Sequence, residues 1–317
     1  IEVPGDHATI QAAVNASSNG DVILVSPGIY TGDGVRVIEV LGKAITIRST
    51  DGHAKTIIDG EGQRGCVRIN DTATLTLDGF TLQNGYASIP PYANGGALWL
   101  ANGDAEIKNC AIINNASGNS YPGGGAIAAY QAWPTFTNCL IANNTTQGGF
   151  GGAAAFIGGS VFINCIIRDN SSSINYGAIF SDYGQGFIEA SVVCQNTGSW
   201  QTYGPSYSND SILSGVCEAA ACGDLDGSYF VDVNDILVVV SSWGEGGPGL
   251  MPADFDFSGS VGIEDLLYLI GIFGNDCTPL GACCFGFDWC EDFVSEAYCK
   301  SNSGEWQGEG SNCGDCF

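Results

Sequence analysis

The sequence carries four copies of one phrase, of which the first reads Gly95-Gly96-Ala97-Leu98, then Asn109-Cys110-Ala111-Ile112-Ile113-Asn114-Asn115. The other copies are Gly124-Gly125-Ala126-Ile127 with Asn138–Asn144, Gly151-Gly152-Ala153-Ala154 with Asn164–Asn170, and Tyr176-Gly177-Ala178-Ile179 with a degenerate end at Asn196. The cysteines of the first three copies are 29 and 26 residues apart. A nearly constant period of this size predicts a stack of structural repeats.

Each repeat contains short β-branched or aromatic runs separated by Gly, Asn and Ser, and lacks an apolar stripe long enough for a helix. We therefore predict a coil of short strands. Stacked coils place equivalent residues about 4.8 Å apart, so that like side chains form columns. The predicted columns are Cys110, Cys139 and Cys165; Ile112, Ile141, Ile167 and Val193; and Asn84, Asn115, Asn144, Asn170 and Asn196.

Each column has a structural interpretation. The aliphatic column is predicted to be core, and the cysteines to be buried and inert. The asparagines are predicted to form an amide ladder at a turn, because a left-handed bend tolerates Asn and buried amides need partners. A ligand site is the alternative interpretation of the asparagines.

These repeats resemble the right-handed parallel β-helix of pectin-lyase-like proteins. The pairing of a Gly-Gly-Ala-Ile phrase with an aliphatic-x-x-Asn phrase is similar to the repeats of polymorphic outer-membrane adhesins. The resemblance implies a mostly β solenoid, which we assign to residues 1–221. Within it, the apolar residues Ile10, Ala13 and Val14 predict a short helix that resembles the N-terminal cap of that family. The scaffold carries enzymes, adhesins and inert fibres alike, so it implies no activity.

The composition excludes several partners. The chain has 317 residues, with 34 Asp and Glu against 9 Lys and Arg, for a formal net charge of −25. Such a chain repels nucleic acid, and it repels polyanionic polysaccharides unless calcium intervenes. The longest apolar run, near Leu266 to Phe273, is too short to span a bilayer. Fourteen cysteines predict a secreted, extracellular or cell-surface protein, and we expect Ile1 to be a processed start.

The repeats show no catalytic constellation. Enzymes of the resembled fold need carboxylates opposite a base, or clustered Asp with His. The only histidines, His7 and His53, are predicted at the surface, and Arg168 beside Asp169 is interpreted as a solvated ion pair. We therefore predict no catalytic residue. Three alternative roles fit the aromatic side chains of the connecting loops: stacking on sugars, burial in a protein interface, or packing on the coil wall. These residues are Tyr86, Tyr92, Tyr121, Tyr176, Trp200, Tyr203 and Tyr207.

The composition changes at Cys222, where two segments thirty residues apart combine spaced oxygen-bearing side chains with a following apolar run. Oxygen ligands at positions 1, 3, 5 and 12, with a carbonyl at position 7, wrap calcium as in an EF-hand loop. The predicted ligands are Asp224, Asp226, Ser228, Phe230, Asp232 and Asp235 in the first loop, and Asp254, Asp256, Ser258, Ser260 and Asp265 in the second. Two calcium ions are expected, and acidic turns without metal are the alternative.

With Asp at position 12, a thirty-residue duplication and no incoming helix, residues 222–277 resemble a type I dockerin. This resemblance implies a small α domain with a cohesin-like protein as partner. Docking of this domain on the end or flank of the solenoid of the same chain is an equally supported alternative. Position 6 is Gly259 in the second loop but Tyr229 in the first, where the sharp turn favours Gly. The first site is therefore expected to bind more weakly or to bend differently.

Ten cysteines are candidates for disulfide bonds. Cys222 and Cys277 bracket the dockerin-like pair, whose two ends are expected to lie close together. Residues 278–317 are too few for a hydrophobic core and are typical of a disulfide-stapled module. Its six cysteines allow fifteen pairings, with zinc as a minor alternative: Cys283, Cys284, Cys290, Cys299, Cys313 and Cys316. Cys194 and Cys217 are candidates for one further bridge.

Three classes of function fit this sequence. The first, which we favour, is a non-catalytic structural or adhesive protein that assembles with other copies of itself into a filament or surface layer. The second is a polysaccharide lyase or hydrolase carried by a dockerin. The third is a non-catalytic carbohydrate-binding protein that uses the loop aromatics. Chain cleavage separates the second class from the others, and electron microscopy separates the first from the third.

Overall fold

The fold is that of a computed structural model. It describes residues 1–87, 95–118, 123–174, 176–182, 186–198, 200–207, 212–214, 231–244, 253–255, 261–271, 273, 280–284, 290–295 and 305–309. The chain divides into two compact units, which we call the solenoid unit (1–220 with 244–261) and the C-terminal unit (221–243 with 262–317). The boundary between 277 and 278 stays a prediction.

The solenoid unit is a parallel β-solenoid, as the repeats predict, and its two longest sheets meet at a corner of each coil. Sheet 1 contains β1 (Glu2–Val3), β2 (Val22–Val25), β5 (Ala44–Ser49), β8 (Thr74–Asp78), β12 (Asp104–Lys108), β16 (Thr135–Thr137), β20 (Val161–Ile163), β24 (Phe187–Glu189) and β27 (Ser206–Tyr207). Sheet 2 contains β3 (Gly28–Tyr30), β6 (Thr56–Asp59), β9 (Thr81–Gln83), β13 (Ala111–Ile113), β17 (Leu140–Ala142), β21 (Ile166–Arg168), β25 (Val192–Cys194) and β28 (Ile212–Ser214).

Two further sheets complete the coils. Sheet 3 is short and lies just after the turn that follows sheet 2; it contains β10 (Tyr86–Ala87), β14 (Ala116–Ser117), β18 (Thr145–Thr146) and β22 (Ser171–Ser172). Sheet 4 contains β4 (Arg36–Leu41), β7 (Gly65–Asn70), β11 (Leu98–Ala101), β15 (Ile127–Ala132), β19 (Ala154–Gly158), β23 (Tyr176–Asp182) and β26 (Trp200–Tyr203). The strands of these four sheets pair in parallel throughout the described residues, so equivalent residues of successive coils lie side by side.

The core consists of inward-facing columns. The predicted aliphatic column is present: the strand register aligns Ile112, Ile141, Ile167 and Val193, and all four side chains are fully buried. Phe136 and Phe162 form another inward pair, with ring centroids 4.8 Å apart and planes within 10° of each other. Stacking at the strand spacing lets like rings pack face to face along the solenoid.

A helix closes the N-terminal end, as predicted. Helix α1 (Ile10–Ala16) buries the face formed by Ile10, Ala13 and Val14. The side-chain amide of Gln11 pairs with the backbone of Glu39 in β4, accepting its N–H at 2.6 Å and donating to its carbonyl at 3.2 Å. Lys43 donates to three carbonyls at the end of α1, those of Val14, Asn15 and Ser17. Gln11 thus supplies hydrogen-bond partners to part of the edge of β4. Lys43 supplies a donor to the carbonyls at the end of α1 that have no partner within the helix.

The described residues of the C-terminal unit form two helices and a small sheet. Helices α2 (Val233–Ser241) and α3 (Ile263–Gly271) begin at the tenth position of the predicted calcium loops, so that Asp235 and Asp265 lie in their first turns, and the two helices pack against each other. Strands β29 (Leu280–Cys284), β30 (Cys290–Ser295) and β31 (Glu305–Glu309) form an antiparallel sheet in which Cys284 lies opposite Cys290. Within the part of the chain that the structure describes, no helix combines the length and the apolar character that crossing a membrane requires.

Candidate functional site

The asparagine column is a continuous chain of hydrogen bonds. The side-chain amide of Asn115 donates to Oδ1 of Asn144 at 3.0 Å, Asn144 donates to Asn170 at 2.9 Å, and Asn170 donates to Asn196 at 2.8 Å. The same oxygens accept backbone N–H groups from the neighbouring coil at 2.9–3.0 Å. All four side chains are buried. These amides are therefore used in joining adjacent coils, which supports the ladder interpretation over a ligand site.

The prediction for Asn84 was wrong by one residue. The pairing of β9 with β13 places Gly85 opposite Asn115, and the Gly85 N–H donates to Oδ1 of Asn115 at 2.8 Å. A side chain at Gly85 would collide with the backbone of Gly96, so this coil needs glycine at the ladder position. Asn84 is instead exposed, with a left-handed φ of 51°, and its amide donates to the carboxylate of Asp59 at 3.0 and 3.2 Å.

A second ladder, which the sequence analysis missed, runs along the corner between sheets 1 and 2. Asn109 donates to the carboxylate of Asp78 at 2.7 Å, Asn138 donates to Asn109 at 3.3 Å, and Asn164 donates to Asn138 at 2.6 Å. The three asparagines have φ values of 51–53°. Their signal in the sequence is the Asn that precedes the cysteine of each repeat. Side-chain amides therefore hold both sharp corners. Here the ladder asparagines are themselves left-handed, whereas at the first ladder the left-handed residue is the one before each asparagine, such as Asn114 and Asn143.

The cysteine column is buried and its thiols are free. Cys66, Cys110, Cys139 and Cys165 are all buried and unbridged. Burial raises the pKa of Cys66 and of Cys110 to about 12, and burial together with the neighbouring Cys165 raises the pKa of Cys139 well above its ordinary value. Because the thiolate is the reactive form, the raised pKa values disfavour reaction at Cys66, Cys110 and Cys139. Cys194 is disulfide-bonded, and its predicted pairing with Cys217 lies outside the described residues.

The buried thiols predict a loss of stability at alkaline pH. An ordinary thiol pKa is 9.0, whereas the folded-state pKa of Cys66 and Cys110 is about 12. The stability that these protonated thiols contribute is therefore complete below pH 9 and is lost as the pH rises toward 12. Urea unfolding at a series of pH values measures the effect. A Cys110→Ala variant should show a shallower decrease above pH 9, and an equal slope in both proteins contradicts the assignment.

Two buried carboxylates begin α2 and α3 at equivalent positions. Asp235 is 0% exposed and Asp265 is 1% exposed. The Asp235 carboxylate accepts the N–H of Asp232 at 2.7 Å, and the Asp265 carboxylate accepts the N–H of Gly262 at 2.7 Å. Asp232 in turn accepts the N–H of Asn234 at 2.6 Å and completes a capping box. The duplicated sequence thus places a carboxylate at each helix N-terminus, where the helix dipole favours negative charge.

Of the other predicted calcium ligands, the structure describes Asp254 but not the rest. Asp254 is described and is 4% exposed. The remaining ones lie outside the described residues, as does Tyr229: Asp224, Asp226, Ser228, Phe230, Asp256, Ser258 and Ser260. Among the described residues alone, no three His, Cys, Asp or Glu side chains come together as a metal cluster. Carboxylates are the oxygen donors that calcium prefers, and the two calcium sites stay a prediction.

The exposed sides of α2 and α3 carry the same apolar pattern, which we call the duplicated apolar face. Its members are Val233, Leu237, Val240 and Trp243 from the first copy, and Ile263, Leu267, Ile270 and Phe273 from the second, each 49–60% exposed. Within each copy the first three lie on one side of the helix, because they are four and three residues apart. Apolar surface of this extent is typical of a contact with another molecule.

Two of the loop aromatics, Tyr176 and Tyr203, pack on the coil wall. Phe150 stacks on Phe180 at 4.9 Å, and Phe180 stacks on Tyr176 at 5.5 Å and on Tyr203 at 5.6 Å. Tyr203 is the outermost ring and is half-exposed. Tyr92 and Tyr121 lie outside the described residues. This cluster therefore covers the outer side of sheet 4 near its C-terminal edge.

The candidates for catalysis in the sequence were the pair of Arg168 and Asp169 and the histidines His7 and His53. Arg168 and Asp169 form an ion pair with side chains 24% and 31% exposed, in agreement with a partly solvated pair. His7 and His53 are half-buried, and burial lowers the pKa of His53. The absence of a catalytic residue stays a prediction.

Neither a protein-family model nor a curated protein matches this chain. A proposal about its function therefore rests on its own residues.

Proposed function

We propose that this chain is a secreted, calcium-binding structural or adhesive protein, in which a passive solenoid is joined to a dockerin-like attachment module and a disulfide-stapled tail. The observation that carries this proposal is the pair of buried carboxylates, Asp235 and Asp265, at equivalent starts of two helices. Carboxylates in duplicated loops of this spacing are typical of paired calcium sites. Two calcium ions would hold the two helix starts in place.

The solenoid supports a passive role. Its aligned amides bond to one another, as in the Asn115-to-Asn196 ladder, and its aligned thiols are buried. A column that bonds mainly to its own copies contributes rigidity to the stack and offers few groups for chemistry. A stiff rod with a capped N-terminal end suits a spacer or the subunit of a surface layer.

The duplicated apolar face supports a protein partner. It is formed by aliphatic and aromatic side chains without a charged member, which is typical of the buried centre of a protein interface. The partner we propose is another copy of this chain, in a filament or layer, or a cohesin-like protein.

Electron microscopy of the full chain, with calcium and after chelation, tests the assembly. We expect filaments or layers with calcium and their loss after chelation. Leu237→Asp and Leu267→Asp should each prevent assembly, whereas Ile174→Asp, an exposed apolar position on the solenoid, is the matched control and should not. Monomers under both conditions contradict the assembly role. Release of new chain ends from pectate or alginate would instead favour the enzyme class.

A further inference from the structure

An open cleft of about 450 Å³ lies at the corner of the solenoid where sheet 3 begins. β10 is the terminal strand of that sheet. In the preceding coil the corresponding residues form a turn, in which the N–H groups of Gln63 and Arg64 both donate to the carbonyl of Gly60 at 3.0 Å. The cleft therefore lies where the turn of one coil is followed by a strand in the next coil. The volume lies within the range of ligand pockets, about 300–1,000 Å³.

The walls of the cleft present both hydrogen-bond donors and acceptors. The Asp59 carboxylate accepts N–H groups from Gln83 at 2.7 Å, from Asn84 at 3.0 Å and from the Glu61 backbone at 2.7 Å. Since amide N–H groups already surround this carboxylate, it is a poor ligand for a cation. Asn84 and Asn114 are exposed. Asn84 donates its amide N–H to Asp59 and offers its side-chain oxygen as an acceptor, whereas the Asn114 amide offers a donor and an acceptor to a molecule in the cleft.

The backbone turns these groups toward one place. Glu61, Asn84 and Asn114 all have left-handed conformations, with φ values of 58°, 51° and 56°. The equivalent turn residues of later coils, Asn143 and Asp169, have the same conformation, so it belongs to the turn that these coils share. Tyr86 adds a half-buried aromatic ring to the wall. The cleft therefore combines one aromatic side chain with several polar groups.

The ligand class follows from this chemistry. Hydroxyl groups both donate and accept, and so fit a mixed amide lining better than a metal ion or an anion does. Asp59 and Glu61, in a chain of net charge −25, disfavour phosphate, sulfate and uronate groups. An aromatic ring packs against the C–H face of a sugar ring. We propose that this cleft binds a neutral sugar residue of a glycan, and that the solenoid is thereby an adhesive surface.

This inference needs neither calcium nor assembly, so its test is separate from that of the proposed function. Gly62 lines the cleft with a φ of 67° and open space around the position of a Cβ atom. Asparagine tolerates that conformation, so Gly62→Asn should fold normally and place a side chain in the cleft. Gly52→Asn is the matched control, because Gly52 also has a left-handed φ, 83°, and open surroundings, but does not line the cleft.

The full chain would be screened on an array of neutral and acidic glycans, and the affinity for the best neutral ligand measured by calorimetry. We expect wild type and Gly52→Asn to bind equally and Gly62→Asn to bind at least about tenfold more weakly, which is about 1.4 kcal/mol. Tyr86→Leu should weaken binding as well, with circular dichroism confirming the fold. Binding should persist after chelation. Absence of binding to every neutral glycan, or equal binding by Gly62→Asn, would overturn the proposal.

Discussion

Replacing Asn144 by Ala is expected to lower the free energy of unfolding of the solenoid unit by about 3–5 kcal/mol. The Asn144 side chain accepts two N–H groups from Asn115, at 2.9 and 3.0 Å, and donates to the Ile112 carbonyl and to Oδ1 of Asn170 at 2.9 Å each. Ala removes all of these bonds and leaves buried polar groups unsatisfied, at a cost of about 1–3 kcal/mol per group. Equilibrium unfolding in urea gives the value.

Asn143 supplies the matched control for this measurement. It is the adjacent residue, is exposed and has a left-handed φ of 56°. Asn143→Gly keeps that conformation accessible, so its effect on stability should stay within about 1 kcal/mol. An Asn144→Ala variant that loses no more stability than Asn143→Gly would show that the ladder does not hold the coils together.

The stacking of coils was predictable from the sequence, because repeated short strands pair with their own copies whatever the individual side chains are. Identical short runs at a constant period can satisfy their backbones by pairing with their copies, and the side-chain columns follow. The cysteine and aliphatic columns and four members of the asparagine ladder were predictable on this basis. Asn84 was misplaced because we matched it by its resemblance to other Asn-containing phrases. Backbone pairing sets the register, and it places Gly85 in that column.

The cleft was not predictable, because it arises from a difference between coils. Residues 60–64 form a turn where later coils have a strand of sheet 3, and repeat analysis searches for what copies share. The duplicated apolar face was missed for another reason. The apolar runs after Asp235 and Asp265 predicted helices, but a run that is apolar on several sides does not show which side is covered. Only Val239 and Leu269 are buried among the apolar residues of α2 and α3.

Removing calcium from the whole protein is expected to abolish the ordered packing of α2 and α3 while the solenoid stays folded. Each helix has nine residues, and isolated helices of that length are marginal in water. The proposed ions neutralise Asp235 and Asp265, and loss of the counter-charge of a buried carboxylate costs about 3–5 kcal/mol. Circular dichroism before and after chelation should therefore show a reversible loss of helical signal with the β signal retained.

Calorimetry with calcium resolves the two sites. Wild type should bind two ions, with the site that contains Tyr229 in its turn being the weaker one. Asp265→Ala and Asp235→Ala should each remove one ion, and Asp265→Ala should remove the tighter of the two. Glu264→Gln is the matched control: it removes a negative charge from the same first helical turn, but Glu264 is exposed, so two ions should still bind. A helical signal that survives chelation, together with no measurable calcium binding, would show that these carboxylates are buried for helix capping alone.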